Sequence, residues 1–170
     1  MESGKLSLRT KVIYGIGDVG NALVNSAVQF YLLSFYAQVG GIKPAIAGTA
    51  LIFAKLWDAV NDPIFGWISD RTHSRLGKRR VYMIFGAIPL GVAISMLWFV
   101  PQGMSEIGQF VWVLSTFLVW DTLWTLTNVP YYSLTAELTE DYGERAALTA
   151  SRMALSVPAY ILGAALTPTL

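Results

Sequence analysis

The sequence predicts an all-α integral membrane fold, and three observations carry that reading. Hydrophobic residues make up 54% of the 170-residue chain and charged residues only 14%, against roughly 25% charged in ordinary soluble domains. Residues 19–42, 81–100 and 153–170 contain no charged side chain, and each run is long enough to cross about 30 Å of hydrocarbon at about 1.5 Å per residue. Lipid offers no partner to backbone N–H and C=O groups, so only helices and closed barrels span it. Continuous apolar runs of this length lack the alternation of barrel strands, which leaves helices.

Five spans follow in order, over about 12–39, 45–69, 81–100, 107–136 and 146–170. The first has a basic lead containing Lys5, Arg9 and Lys11, as a signal peptide does. Its apolar stretch exceeds an h-region and more spans follow, so it reads as a transmembrane helix. The second opens after Gly40-Gly41-Ile42-Lys43-Pro44. The third lies between the charged loop at 70–80 and the turn at 101–106, with Trp98 in an aromatic-belt position near its end. The fourth and fifth are separated by residues 137–145. All connections are short, which leaves no room for a soluble domain. Chain 1–170 therefore reads as a single, partial transmembrane domain. An odd number of spans suits a repeat-built carrier poorly, so the missing helices of its own chain are an expected partner.

Lys and Arg set the expected orientation. One side of the membrane receives Lys5, Arg9, Lys11, Arg71, Arg75, Lys78, Arg79, Arg80 and Arg145, while the other receives only Lys43. The inside-positive bias places the N-terminus in the cytoplasm. The same rule accounts for the basic loop, so a nucleic-acid partner is not expected. With no Cys, thiolate metal sites and disulfides are excluded, and the single histidine, His73, sits in that loop, where a solvated position is expected. No cofactor is expected.

Polar side chains inside the spans are the functional signal, because an ionised carboxylate at mid-bilayer costs about 2.5 kcal/mol or more. On the first helix Asp18, Asn21, Asn25 and Gln29 share one face at helical spacing. The second carries Lys55, Asp58, Asn61 and Asp62, with the two acids one turn apart. The fourth presents Asp121, Thr125, Asn128 and Tyr132 on one face, with Trp124 beside them. Arg152 stands near the cytoplasmic end of the fifth. Lys55 and Arg152 offset two of the four acids, and a bound cation or proton is expected to neutralise the rest. Polar contacts between helices explain a lone Asn or Thr, but two repelling acids one turn apart fit ion binding better. Pro63, Pro89, Pro130 and Pro158 lie inside four spans, where each frees a carbonyl and favours a kink.

These residues resemble a known family. Gly66-x-x-x-Asp70-Arg71 followed by Gly77-Lys78-Arg79-Arg80 is similar to the loop between helices two and three of the major facilitator superfamily. Trp57-Asp58-Ala59-Val60-Asn61-Asp62-Pro63 resembles the signature of its glycoside–pentoside–hexuronide:cation symporters, the melibiose-permease-like branch. Tyr14-Gly15-Ile16-Gly17, Asn128-Val129-Pro130-Tyr131-Tyr132-Ser133-Leu134 and Glu144-Arg145 with Arg152 extend the match across residues 6–161. The resemblance implies twelve helices in two halves, of which this chain holds the first five of the N-terminal half. It implies cation-coupled symport of a sugar or glycoside, with Na+ or H+ as coupling ion, in a bacterial inner membrane.

By the same resemblance Asp58, Asn61, Asp62 and Thr125 form the cation site. Tyr132 and Arg152 stand near the substrate, and the Gly66–Arg80 loop acts in gating. Two acids that hold galactoside hydroxyls in the family are replaced by Ala22 and Asn128. Asp18 and Asp121 remain nearby, so the substrate set is expected to comprise Asp18, Asn21, Asn25, Asp121, Trp124, Asn128, Tyr132 and Arg152. A second reading keeps the fold and carries a lysolipid or other organic anion. A third notes that Gly15-Ile16-Gly17-Asp18 satisfies the GxGD pattern of intramembrane aspartyl proteases. A Tyr-Asp pair on a preceding helix and a later Pro-Ala-Leu segment are missing from the sequence, and no enzyme activity is expected.

Overall fold

A computed structural model describes residues 6–75 and 77–166. Lys5 and the final four residues of the expected fifth span lie outside the described residues. Five helices run in sequence: α1 Leu8–Gln38, α2 Pro44–Arg71, α3 Arg80–Leu97, α4 Glu106–Leu138 and α5 Tyr142–Leu166. Among the described residues there is no strand.

Local capping moves several helix ends away from the expected positions. Ser7 Oγ accepts the Thr10 N–H at 3.1 Å, which starts α1 at Leu8 rather than 12. Ser105 Oγ accepts the Gly108 N–H at 3.3 Å ahead of α4. Asp141 Oδ1 accepts the Glu144 N–H at 2.8 Å, so α5 begins at Tyr142 rather than 146. Each bond satisfies one of the orphan donors of a first turn. Pro44 opens α2, where its missing N–H costs nothing. At the end of α1 the Ile42 N–H reaches the Tyr36 carbonyl at 2.9 Å while Gly41 takes φ 66°. A side chain resists that left-handed turn, and glycine does not.

Polarity is inverted relative to a soluble protein. Ile84, Phe85, Ile88 and Val92 form an exposed apolar face along α3, whereas Asp18, Ser26, Asn61, Asp121, Thr125 and Asn128 are buried. Apolar surface outward and acids inward is the arrangement that lipid solvation demands. By composition, α3 and α4 reach mean hydropathies of 1.7 and 1.3 over a spanning window. The polar stripes of α1, α2 and α5 lower theirs. The four internal prolines each lie within an unbroken helix. Around Pro130, Thr127, Asn128 and Ser133 turn their side chains onto the Leu123, Trp124 and Val129 carbonyls of α4 itself.

The helices fall into two compact units, Met1–Leu32 with Leu134–Leu170, and Leu33–Ser133. In the first, α1 and α5 run parallel. Ser151 Oγ donates to the Lys11 carbonyl at 3.4 Å, and Tyr160 donates to Gln29 Oε1 at 2.8 Å further along. Tyr31 donates to the Ala164 carbonyl beyond that. Two glycines make the approach close. A Cβ on Gly163 would lie 2.9 Å from the Leu23 carbonyl oxygen, and one on Gly15 would lie 3.0 Å from that of Ser151. Any side chain there pushes the two backbones apart.

In the second unit α2 and α4 are also parallel, and they are in register. Trp57 Nε1 donates to Thr122 Oγ1 at 3.0 Å, Asn61 Nδ2 to Asp121 Oδ2 at 3.2 Å, and Thr125 Oγ1 to Asp62 Oδ1 at 2.9 Å. Partners in these bonds are 65, 60 and 63 residues apart. Between them in sequence, α3 runs antiparallel to α4. Trp112 Nε1 donates to the Phe99 carbonyl at 2.9 Å, and Gly86 admits the Thr127 methyl.

Candidate ion and substrate site

The α2/α4 seam gathers the expected cation residues, but in two sets rather than one. Asp62 accepts the Thr125 hydroxyl, while Asn61 donates to Asp121. Asp58 turns toward Lys55 at 3.3 Å on its own helix, and both act electrostatically on Asp121. Asp121, expected with the substrate residues, is thus bonded within the seam.

Burial divides the seam further. Of the two acids placed one turn apart inside the second span, Asp58 is half-buried and Asp62 is exposed. They sit along a face of α2 that the described residues leave open. The fully enclosed members are Asn61, at 0% exposure, with Asp121 and Thr125, each at 2%. The seam therefore has an open edge lined by acids and a closed side lined by an amide, a carboxylate and a hydroxyl.

Three carboxylates, Asp58, Asp62 and Asp121, share this seam with one base, Lys55. Carboxylate, amide and hydroxyl oxygens are the ligands hard cations prefer. Among the described residues no group of three acidic, His or Cys side chains is placed to hold a metal ion; the seam also presents the neutral oxygens of Asn61 and Thr125. The carbonyl oxygen of Asn61 is buried and without a hydrogen-bond partner. Leaving a buried acceptor unsatisfied costs about 1–3 kcal/mol.

The α1/α5 residues form a different chemistry. Arg152 Nε stands 3.7 Å from Asp18 Oδ2, and Lys11 Nζ stands 2.9 Å from Glu144 Oε2. The Glu144 carboxyl is held below its ordinary value, first by its hydrogen bond to Lys11 and then by the Leu6 N–H. Asn21 and Asn25 are half-buried on the same helix as Asp18. An aspartyl protease needs two carboxyls around one proton, and here the acid of the GxGD pattern faces a guanidinium.

The remaining substrate candidates lie along α4. Trp124 packs 5.5 Å from the Trp120 ring, and Tyr132 lies 5.4 Å from Tyr131. Phe117 packs against Trp120 in turn, and of these rings the expected substrate set held Trp124 and Tyr132. Asn128 is buried and commits an amide N–H to the Trp124 carbonyl at 3.0 Å. Tyr132 is exposed.

In the loop, Asp70 meets Arg79 at 3.4 Å, with Arg79 buried. Arg71 instead stacks over the Trp67 ring at 3.9 Å. Lys78 and Arg80 are exposed, and Gly77 takes φ 94°. A Cβ on Gly66 would meet Val129 at 3.9 Å, an ordinary contact, so this small residue is not a point of close helix approach.

Known proteins agree with this architecture. The family model for MFS/sugar transport protein matches residues 13–170. The inner membrane symporter YicJ of Escherichia coli is 32% identical over 98% of this chain and 36% of its own length. The putative glycoside/cation symporter YagG of the same organism is 34% identical over 89% of this chain and 33% of its own. Sodium-dependent lysophosphatidylcholine symporter 1 of Xenopus tropicalis is 30% identical over 95% of this chain and 31% of its own. The chain spans about a third of the length of the curated relatives it matches. With an all-helical membrane fold, an acid-lined helix seam and a family match across nearly its whole length, the chain belongs to the MFS/sugar transport protein family of the major facilitator superfamily.

Proposed function

We propose that the protein is a secondary active transporter that couples entry of a sugar or glycoside to a cation, Na+ or H+. The observation that carries this reading is the charge of the α2/α4 seam, where three carboxylates and two neutral oxygen ligands face one lysine. Low-dielectric surroundings make uncompensated negative charge costly, and a monovalent cation at Asp62 and Thr125 halves the excess. Asp58 and Asp62 on the open edge receive the ion; Asn61 and Thr125 complete its oxygen shell. The side chains offered to substrate are Asp18, Asn21, Asn25 and Arg152 on α1 and α5, and Trp124, Asn128 and Tyr132 on α4, whereas Asp121 is engaged by Asn61. Rocking of two helical halves about that site exposes it alternately to each side, with the Asp70–Arg79 loop rearranging on the cytoplasmic side. The N-terminus is cytoplasmic and the setting is a bacterial inner membrane, as the name of YicJ supports for that relative.

A second reading has a specific support. A lysophosphatidylcholine symporter shares 30% of residues over 95% of this chain, and Arg152 supplies a cation for an anionic headgroup. Uptake of a panel of glycosides and lysolipids into proteoliposomes, driven by a Na+ or a proton gradient, separates the two. Asp62→Asn in that assay is expected to abolish cation stimulation. Unchanged coupling in the variant removes the assignment.

A further inference from the structure

Asp121 has no role in the cation set expected from the sequence, yet it bonds the most enclosed member of that set. Asn61 is fully buried, and its two terminal atoms are treated unequally. Nδ2 donates to Asp121 Oδ2 at 3.2 Å, while Oδ1 has no partner. Asp121 Oδ2 is the acceptor that takes the amide N–H, and the carbonyl oxygen of the same planar group is left without a donor. A carboxylate opposite fixes the orientation of an amide that is otherwise free to flip.

We infer that Asp121 is a positioning residue of the cation site: it holds the Asn61 amide so that Oδ1 serves as a ligand for an alkali-metal ion. This rests on the cation-coupled reading above and goes further by choosing the ion. A neutral amide oxygen coordinates Na+ or Li+ through its dipole but is too weakly basic to carry a proton at physiological pH. A site that relied on protons alone gains nothing from a buried carbonyl with no donor facing it. Partners outside the ligand shell that orient the ligands commonly change metal affinity by about 10- to 100-fold when removed. Asp121 stands in that relation to Asn61. Thr125, one turn along α4, brings its hydroxyl to Asp62 at 2.9 Å, so one helix positions both neutral ligands of the site.

The test uses purified protein titrated with NaCl against choline chloride at constant ionic strength, read by tryptophan fluorescence and by melting temperature. Trp57, Trp120 and Trp124 all lie on the helices of the seam. Wild type is expected to show a saturable Na+ response. Asp121→Asn is expected to raise the half-saturating Na+ concentration about 10-fold or more, because its amide no longer dictates which way Asn61 faces. Asp121→Glu keeps the acceptor and is expected to stay within about threefold of wild type, a rescue that a purely structural role does not require. Asn61→Ser supplies an independent variant with the same expected direction. An unchanged Na+ response in Asp121→Asn overturns the inference. So does a wild-type protein that couples to protons with no response to Na+ or Li+, although cation coupling then stands. Substrate transport without any cation coupling defeats the broader proposal instead.

Discussion

In the α1/α5 pair the inward acids Asp18 and Glu144 each meet a base, Arg152 at 3.7 Å and Lys11 at 2.9 Å. In the α2/α4 pair Asp58, Asp62 and Asp121 share Lys55, and their other partners are an amide and a hydroxyl. Both pairs are parallel, and both interrupt an apolar environment with charge. The first is balanced from within and closes at glycines, where backbones nearly touch. The second is joined by side chains that bond across it and keeps an excess of negative charge. A pair of the first kind stabilises a fold, whereas one of the second kind stays costly until something positive arrives.

The largest stability effect is expected where that internal balance is broken. Arg152→Ala leaves Asp18 nine-tenths enclosed and without its guanidinium. Removing one partner of a buried pair costs about 3–5 kcal/mol, and the remaining exposure of Arg152 brings the expectation to about 2–3 kcal/mol. Melting of the purified protein checks this, and Arg152→Gln with Asp18→Asn should recover part of the loss. A loss of under about 0.5 kcal/mol in Arg152→Ala contradicts the pairing as a structural element.

Glycine substitutions sharpen the difference in helix approach. Gly163→Ala is expected to cost about 1–3 kcal/mol through overpacking, and Ser26→Ala should not rescue it, since the Leu23 backbone is still in the way. Gly66→Ala meets only an ordinary contact with Val129, and better helix propensity should raise stability by up to about 1 kcal/mol. Equal effects at both positions erase the contrast between the pairs.

The smallest effect concerns pH. Glu144 has a folded-state value below its unfolded one, chiefly through the Lys11 hydrogen bond. Its contribution is therefore present above about pH 4.5, the unfolded value, and is lost as pH falls through the lower folded value. Between pH 7 and pH 4, wild type should lose slightly more melting temperature than Glu144→Gln. Parallel curves contradict this.

The helical class was legible in the charge-free runs, because lipid leaves the backbone so few options. Helix ends were less so. Ser7, Ser105 and Asp141 move three starts by up to four residues, and each cap is a single side-chain bond that hydropathy does not register. In the candidate site, the α2 motif pointed to Asp58, Asn61 and Asp62, and helical spacing placed Asp121 and Thr125 on one face of α4. The resemblance already brought Thr125 to the α2 acids, but it did not disclose the register by which Asn61 meets Asp121, 60 residues away. That register is a tertiary fact.

Whether the unbalanced pair binds a cation is tested most directly by comparing one acid from each pair under a Na+ titration of melting temperature. Wild type and Asp18→Asn are expected to rise and saturate with Na+ relative to choline, and Asp62→Asn to show no rise. A response that survives in Asp62→Asn but disappears in Asp18→Asn places the ion in the other pair and contradicts the account.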